Sequence, residues 1–300
     1  MPHPSTFIAT VPGFAVPDGA CDCHTHVFGP AERYPMRTDR VYTPADALFE
    51  DSVAMLSVLG LDRVVLVQAS VYGADNRCML DGLKAFGQRA RGVAVITADI
   101  ADAELHALHA AGVRGVRLNI ATGHDRSVGK IAAEMRALAN RISPLGWHLQ
   151  LFVRPHILRE LQPIVDEMDI DVVIDHMGLV TAKSYQNNPG FHALLSMLER
   201  GRIWVKASGA YRVGPAEGPW DEVAPMARAL IESRPDRIVW GSDWPHTPPH
   251  GPDAVNNETV MPFRPLDTGK LLDLLADWVP DKEILNLILV SNPVRLYGFD

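Results

Sequence analysis

Short apolar runs alternate with amphipathic segments along almost the whole chain. The run Arg-Val-Val-Leu-Val-Gln at residues 63–68 shows no polar alternation, which is typical of a strand buried on both faces. The pattern predicts strands at residues 20–26, 63–68, 92–97, 115–119, 147–153, 171–176, 203–206 and 237–241. It predicts helices at residues 45–59, 76–89, 102–111, 128–142, 155–168, 190–200, 220–233, 268–278 and 282–290.

This alternation predicts an α/β fold in which parallel strands and helices form a single (β/α)8 TIM barrel. No linker or break in composition divides the chain, so residues 1–300 are expected to form one domain with an extended N-terminal arm at 1–18. The helix-to-strand connections are short, whereas the loops 27–43, 177–189, 207–219 and 244–267 follow strands and are long. Barrel enzymes carry their chemistry on such loops, so we expect the site there.

Apolar residues make up 47% of the chain and charged residues 21%, as in a globular protein with a substantial core. The net charge of −8 argues against nucleic acid or an anionic membrane as a partner, and an anionic substrate would need locally gathered cations. Cys21, Cys23 and Cys78 form no disulfide framework and are expected to be buried thiols. No basic-then-apolar leader or membrane-length apolar run is present, so a cytoplasmic location is expected. Monomer and homo-oligomer both stay open.

The first predicted strand carries a pair of histidines. Alternation of side chains places Asp22, His24 and His26 on one face, and Cys21 and Cys23 on the other. Two imidazoles at a strand end suit a metal ion or a polarised carbonyl group. A polar strand end without a function is the alternative.

Two later strand ends add chemistry at the same rim of the predicted barrel. His176 ends the sixth strand, and Asp243 follows the eighth in Trp-Gly-Ser-Asp-Trp-Pro-His. A carboxylate facing the first-strand histidines is placed as a general base or a metal ligand. A loop-capping aspartate and a structural histidine are the alternatives, but the recurrence at strand ends favours function.

This set of residues resembles the amidohydrolase superfamily. The stretches Asp-Cys-His-Thr-His-Val-Phe-Gly-Pro at 22–30, Val-Tyr-Thr-Pro at 41–44, Gln-Ala-Ser at 68–70 and Trp-Gly-Ser-Asp-Trp-Pro-His at 240–246 more narrowly resemble the 2-pyrone-4,6-dicarboxylate lactonases. The resemblance runs from Asp22 to Tyr297. It implies a hydrolase of aromatic catabolism that opens the lactone ring of a carboxylated substrate such as 2-pyrone-4,6-dicarboxylate, an anionic small molecule.

The resemblance also implies roles for individual residues. Asp243 would take a proton from water while His24, His26 and His176 stabilise the developing oxyanion. Further substrate positions carry over to Arg117, Arg126, Arg212, Tyr42, Ser70 and Phe152. Arginine grips carboxylates through two parallel hydrogen bonds, although solvated surface arginines are the alternative. Phe152 stands where the family has a tyrosine, and Arg154 could compensate for the lost hydroxyl.

The metal content follows from departures from the superfamily pattern. Two-metal relatives carry a lysine on strand four and a histidine on strand five, whereas the rim here offers Arg117, Gln150 and Phe152, and His148 lies at its strand's start. A two-metal site is therefore not expected, and the lactonases this chain resembles need no cofactor. The alternative is a single zinc held by His24, His26 and Asp243, with His176 as a further ligand. Such an enzyme would hydrolyse a sulfomuconolactone or sugar-acid lactone, or would be a decarboxylase. A non-catalytic barrel that binds a dicarboxylate is the remaining alternative.

Overall fold

The computed structural model describes residues 7–122, 127–248 and 256–300. Eight parallel strands pair in chain order. They are β1 (Cys21–Thr25), β2 (Arg63–Val67), β3 (Ala90–Ala94), β4 (Val113–Asn119), β5 (His148–Phe152), β6 (Val172–Ile174), β7 (Ile203–Ser208) and β8 (Ile238–Gly241). The α-helices in the described ranges are α1 (Phe49–Leu59), α2 (Arg77–Phe86), α3 (Asp102–Ala110), α4 (Val128–Ile142), α5 (Pro155–Asp166), α6 (Pro189–Glu199), α7 (Ala210–Val213), α8 (Ala224–Ser233), α9 (Thr268–Trp278), α10 (Lys282–Asn286) and α11 (Asn292–Tyr297).

Backbone hydrogen bonds close the sheet between β1 and the segment after β8. The Asp243 N–H donates to the His24 carbonyl oxygen at 2.9 Å, and the His26 N–H donates to the Trp244 carbonyl oxygen at 2.9 Å. Gly241 permits this approach, since a Cβ there would lie 2.6 Å from the Cβ of His24. The predicted (β/α)8 barrel is confirmed, and its closure brings the ends of β1 and β8 side by side.

The barrel interior is a compact apolar cluster distinct from the larger core between strands and helices. Its members are Cys21, Cys23, Val65, Val67, Val93, Val173, Trp204, Val239, Leu296, Tyr297 and Phe299. At the N-terminal ends of the strands, Arg63 and Arg91 donate to the carbonyl oxygens of Asp300 and Gly298. The chain's last residues therefore cover the end of the barrel opposite the long loops.

Strict side-chain alternation fails in β1. The register of its pairing with β2 shifts between Asp22 and Thr25. Cys23 therefore packs in the interior cluster, yet the rings of His24 and His26 also enter the barrel, with centroids 5.0 Å apart. The prediction that the cysteines face away from the histidines is wrong for this reason. All three cysteines are buried free thiols, as predicted.

Other differences from the predicted elements are local. The third strand occupies residues 90–94 rather than 92–97. Tyr42–Pro44, where the first helix was predicted to begin, pairs in parallel with Asn256–Met261, which was predicted as loop. Local sequence could not indicate this pair, because the two segments are far apart in the chain, and the helix begins at Phe49 instead. The N-terminal arm is anchored from Phe7 onward, whose ring packs 4.8 Å from that of Trp244. No helix within the described ranges is long and apolar enough to cross a membrane.

Candidate active site

Three histidines surround one carboxylate oxygen at the C-terminal rim of the barrel. Nε2 of His24, His26 and His176 lie 3.8, 3.7 and 3.8 Å from Oδ1 of Asp243. The four side chains come from the ends of β1, β6 and β8, and all are buried. The structure thus brings together the four residues that the sequence analysis assigned to catalysis.

The Asp243 carboxylate is held through one oxygen and open at the other. Oδ2 accepts hydrogen bonds from the Tyr211 hydroxyl at 2.6 Å and from Nε of Arg212 at 2.5 Å. Oδ1 has no hydrogen-bond partner among the described residues. The backbone of Asp243 has a φ of +61°, a conformation that costs free energy for a residue other than glycine and that is concentrated at functional sites. A proton acceptor is therefore fixed with one oxygen directed at the histidines.

The charge on Asp243 is set by its neighbours. Burial alone would raise the pKa of this carboxyl, but the Arg212 guanidinium, assisted by the histidines, holds that pKa well below the usual value. Asp243 is therefore ionised at neutral pH.

His26 and His176 each use Nδ1 for a hydrogen bond that orients the ring. Nδ1 of His26 lies 2.8 Å from the carbonyl oxygen of Val67, which can only accept, so this nitrogen carries a proton and, in the neutral ring, Nε2 carries a lone pair. Nδ1 of His176 lies 2.8 Å from Oγ of Ser208, which can accept or donate. Burial lowers the pKa of His176 to about 4, so the ring is neutral at pH 7.

His24 sits deeper and has two charged neighbours at Nδ1. Nζ of Lys206 lies 3.2 Å from this nitrogen, and Oδ1 of Asp175 lies 3.3 Å from it. Burial, followed by the Lys206 charge, lowers the pKa of His24 well below its ordinary value. Nε2 of His24 has no hydrogen-bond partner in the described part of the chain.

Lys206 belongs to a buried polar network that the sequence analysis missed. Its Nζ donates to the Cys23 carbonyl oxygen and to Oε1 of Gln150, each at 2.8 Å. Oδ2 of Asp175 accepts from Nε2 of Gln150 and from Nε of Arg117, each at 3.0 Å. Lys206, Gln150 and Asp175 are each fully buried. The signal that could have revealed it is a lysine within the otherwise apolar run at 203–207, since a buried lysine needs partners.

A cavity of about 320 Å³, including its mouth, opens above this network. It is lined by His26, Tyr42, Ala69, Ser70, Arg117, Asn119, Phe152, His176, Arg212, Asp243 and Thr247. Eight of these eleven residues were predicted, His26, His176 and Asp243 for catalysis and Tyr42, Ser70, Arg117, Phe152 and Arg212 for substrate binding. Ala69, Asn119 and Thr247 were not predicted, and His24 lies beneath the residues that line the cavity. Arg154 is not among the lining residues, and its Nε donates to the Ala121 carbonyl oxygen at 2.9 Å. Arg126 lies outside the described residues.

Two arginines border the cavity in fixed orientations. Nε of Arg117 is held by Asp175, and its guanidinium carbon lies 4.9 Å from the centre of the Phe152 ring. Nε of Arg212 is held by Asp243, and its Nη2 donates to Oγ1 of Thr247 at 2.9 Å. Each guanidinium is therefore anchored through Nε at the cavity wall.

The spacing of His24, His26 and Asp243 would also allow a metal ion to bind. One donor atom each from His24, His26 and Asp243 lie within 4.8 Å of one another. His26 is arranged as metal-binding histidines usually are, with Nδ1–H bound to a carbonyl oxygen and Nε2 left open. His24 is arranged differently, because its Nδ1 has an ammonium group, that of Lys206 at 3.2 Å, as well as the Asp175 carboxylate at 3.3 Å as a neighbour.

Comparison with known proteins agrees with this geometry. A family model described as amidohydrolase matches residues 21–299. A 2-pyrone-4,6-dicarboxylate hydrolase from Comamonas testosteroni is 39% identical over 295 residues, covering 95% of this chain and 92% of the relative. A 4-sulfomuconolactone hydrolase from Rhizobium radiobacter is 35% identical, covering 95% of this chain and 92% of the relative.

A solved structure extends the comparison to three dimensions. It is a crystal structure from Acinetobacter baumannii, described as a probable 2-pyrone-4,6-dicarboxylic acid hydrolase with citric acid bound. It superposes with a TM-score of 0.78 at 28% identity, covering 94% of this chain and 100% of that one. The resemblance drawn from the motifs is confirmed, and the chain belongs to the amidohydrolase family.

Proposed function

We propose that this protein hydrolyses a lactone whose ring carries carboxylate groups, with Asp243 as the base that activates water. The observation that carries the proposal is the open Oδ1 of Asp243, which lies among three histidine Nε2 atoms and beside a cavity bordered by two arginines. The similarity to enzymes named as hydrolases of a pyrone dicarboxylate and a sulfonated lactone supports the same reaction class.

In the proposed reaction a water molecule between Oδ1 and the lactone loses a proton to Asp243 as its oxygen bonds to the ring carbonyl carbon. The carbonyl oxygen becomes an oxyanion stabilised by Nε2–H donors from His24 and His176. The ring C–O bond then breaks, and the proton held by Asp243 passes to the leaving oxygen. In its neutral form His26 has its one ring proton on Nδ1, bound to the Val67 carbonyl oxygen, and cannot donate through Nε2. We therefore assign this form to orienting the water instead of stabilising the oxyanion.

Substrate binding in this proposal relies on the arginines. Arg117 and Arg212 would donate hydrogen bonds from their guanidinium nitrogens to the ring carboxylates, with Arg126 as a third cation. Tyr42 and Ser70 at the cavity wall would add hydrogen bonds. The Acinetobacter baumannii protein is described with citric acid, a compact polycarboxylate, bound, and this supports a polycarboxylate ligand.

We further propose that turnover needs no metal ion. A zinc ion at these histidines would polarise the carbonyl and acidify water, but the charges nearby do not favour one. The cations Arg117, Lys206 and Arg212 outnumber the carboxylates Asp175 and Asp243, and even Asp22, whose pKa burial raises to about 6, only balances them. A divalent ion would therefore add uncompensated positive charge to a desolvated cluster.

The test is a turnover screen with purified protein whose metal content has been measured. We expect 2-pyrone-4,6-dicarboxylate or another carboxylated lactone to be opened, with kcat/KM well above that for an uncharged sugar lactone. Hydrolysis of 4-sulfomuconolactone alone would move the substrate to the sulfonated class. Recovery of every bound lactone unchanged would show a binding protein and refute the proposal.

A further inference from the structure

The hydrogen bonds of Lys206 decide where the proton of His24 lies. An ammonium group has three protons and cannot accept. Two of them reach the Cys23 carbonyl oxygen and Oε1 of Gln150, each at 2.8 Å, and the third is left for Nδ1 of His24 at 3.2 Å. A nitrogen that accepts this bond cannot itself carry a proton in the neutral ring.

Asp175 is the competing partner for the same nitrogen. Its Oδ1 lies 3.3 Å from Nδ1 of His24, but this oxygen makes no hydrogen bond to any described residue. Its other oxygen is already bound by Arg117 and Gln150. Burial lowers the pKa of Lys206, and Asp175, whose Oδ1 lies 3.6 Å from Nζ, opposes this effect by favouring the charged ammonium.

We propose that Lys206 is a positioning residue that donates to Nδ1 of His24 and thereby places the imidazole proton on Nε2. This inference rests on the proposed lactonase function and gives His24 its role there, as the neutral hydrogen-bond donor to the oxyanion. Nε2 of His24 is buried and otherwise unpartnered, and it lies 3.8 Å from the base oxygen of Asp243. A neutral Nε2–H in this position can donate a hydrogen bond to the reacting carbonyl oxygen, and His24 does not first have to gain a proton.

The two histidines of the His-x-His pair consequently carry opposite tautomers. The Val67 carbonyl oxygen fixes the proton of His26 on Nδ1, whereas Lys206 fixes that of His24 on Nε2. One ring therefore accepts a hydrogen bond at the reaction centre and the other donates one. The same arrangement disfavours zinc, because Nε2 of His24 would have to lose its proton before it could bind the metal.

The decisive measurement is the tautomer of His24 in the unaltered protein. We expect ¹⁵N spectra of histidine-labelled protein near neutral pH to show a protonated Nε2 for His24 and a protonated Nδ1 for His26. The two rings are assigned by the signals lost in His24→Asn and His26→Asn. A His24 ring protonated at Nδ1 would overturn the inference, and this outcome does not depend on whether Lys206→Met folds.

A variant tests the consequence for function. In Lys206→Met we expect the His24 proton to move to Nδ1, facing Asp175, and kcat for the lactone to fall about 10²-fold, as when one oxyanion donor is lost. KM should change little, since Lys206 does not border the cavity. Zinc affinity, measured by equilibrium dialysis, should rise because Nε2 becomes a lone-pair donor. Lys84→Met, on the exposed side of α2, is the matched control and should alter none of these quantities.

The outcomes separate this inference from the proposed function. Wild-type protein that opens no carboxylated lactone would refute the function, while the tautomer of His24 would still be measured. Active wild-type protein with an unchanged kcat in Lys206→Met would refute the role of Lys206 and leave the function standing. A lysine that only stabilises the fold would lower the melting temperature without changing the tautomer or the zinc affinity.

Discussion

Nε of Arg212 donates to Oδ2 of Asp243 across 2.5 Å, so the best-placed cation of the cavity is joined to the base itself. This bond has two effects. It turns Oδ1 toward the histidines, and it lowers the pKa of Asp243. Arg212 therefore controls the base as well as any substrate carboxylate that it contacts.

Asp243→Asn should fold normally and lose turnover. The amide oxygen can still accept from Tyr211 and Arg212, but an amide cannot take a proton from water at neutral pH. We expect kcat to fall at least about 10²-fold with little change in melting temperature. Asp99→Asn, on an exposed loop, is the control. Near-normal turnover in Asp243→Asn would assign the base to another residue.

The pH dependence of kcat/KM follows from the lowered pKa of Asp243. Since the base works only when ionised, activity is lost as pH falls through its pKa, and that pKa lies well below the ordinary value of 3.8. We expect no loss from Asp243 between pH 5 and pH 8, and Arg212→Met should shift the acid limb to higher pH. An unshifted limb in this variant would show that Arg212 does not set the pKa of the base.

The arginines should differ in how they discriminate between substrates. Arg117→Met removes a charge-assisted contact worth roughly 1.5–3 kcal/mol, or about one to two decades in kcat/KM, for a carboxylated lactone and little for a neutral one. Arg126→Met should behave in the same way if that side chain also binds a carboxylate. Arg212→Met should impair both substrates, because it also perturbs the base. Arg136→Met, whose side chain is 52% exposed, is the control, and equal small effects on both lactones would refute the carboxylate assignment.

Removal of metal should leave activity unchanged. The reason is the proton that Lys206 keeps on Nε2 of His24, together with the positive charge already present in the cluster. Exhaustive dialysis against a chelator, followed by elemental analysis and assay of the same sample, measures this. Activity lost with one equivalent of zinc and restored on its return would support the single-zinc alternative.

Acid should destabilise the fold from near pH 6.5 downward. Burial lowers the pKa of His148 to about 3 and that of His246 to about 4, so below the ordinary value of 6.5 the unfolded chain binds protons that the folded chain does not. Each such histidine removes about 1.4 kcal/mol of stability per pH unit over that window. Asp22 acts in the opposite direction, because its pKa is raised to about 6 and the folded form binds the extra proton as pH falls.

Urea unfolding at pH 7.5 and pH 5 measures this dependence. In His148→Gln the slope of the unfolding free energy against pH should decrease by about 1.4 kcal/mol per pH unit, the contribution of one proton. His156→Gln, at an exposed position of α5, should leave this slope unchanged. A slope that is the same in His148→Gln as in the unaltered protein would show that His148 does not hold a lowered pKa in the folded state.

Much of the fold was predictable because it depends on local patterns. Unbroken apolar runs identified the strands, and their alternation with helices determined the barrel. Barrel geometry then placed His24, His26, His176 and Asp243 at one rim, since the C-terminal ends of parallel strands share an edge. What could not be predicted depends on contacts between distant strands. Lys206 becomes part of the site only because β1, β5 and β7 bring Cys23 and Gln150 within reach of its ammonium group.

The strand periodicity also misled at one point. Alternation separates Cys23 from His24, but the register shift in β1 lets both enter the barrel. Tyr211 was overlooked for a related reason, because its hydroxyl meets Asp243 only through a one-turn helix that follows β7. Spacing along the chain does not reveal a contact of this kind.

The register shift in β1 has a consequence for engineering. Consecutive residues of this strand face the same buried ammonium with different groups, Cys23 through its main-chain oxygen and His24 through its ring. A regular strand would give up one of these contacts. Grafting only the two histidines of the His-x-His motif onto another barrel would therefore transfer the rings but not the contacts that place one ring proton on Nε2 and the other on Nδ1. The barrel that receives the motif must therefore have the same irregularity in its first strand.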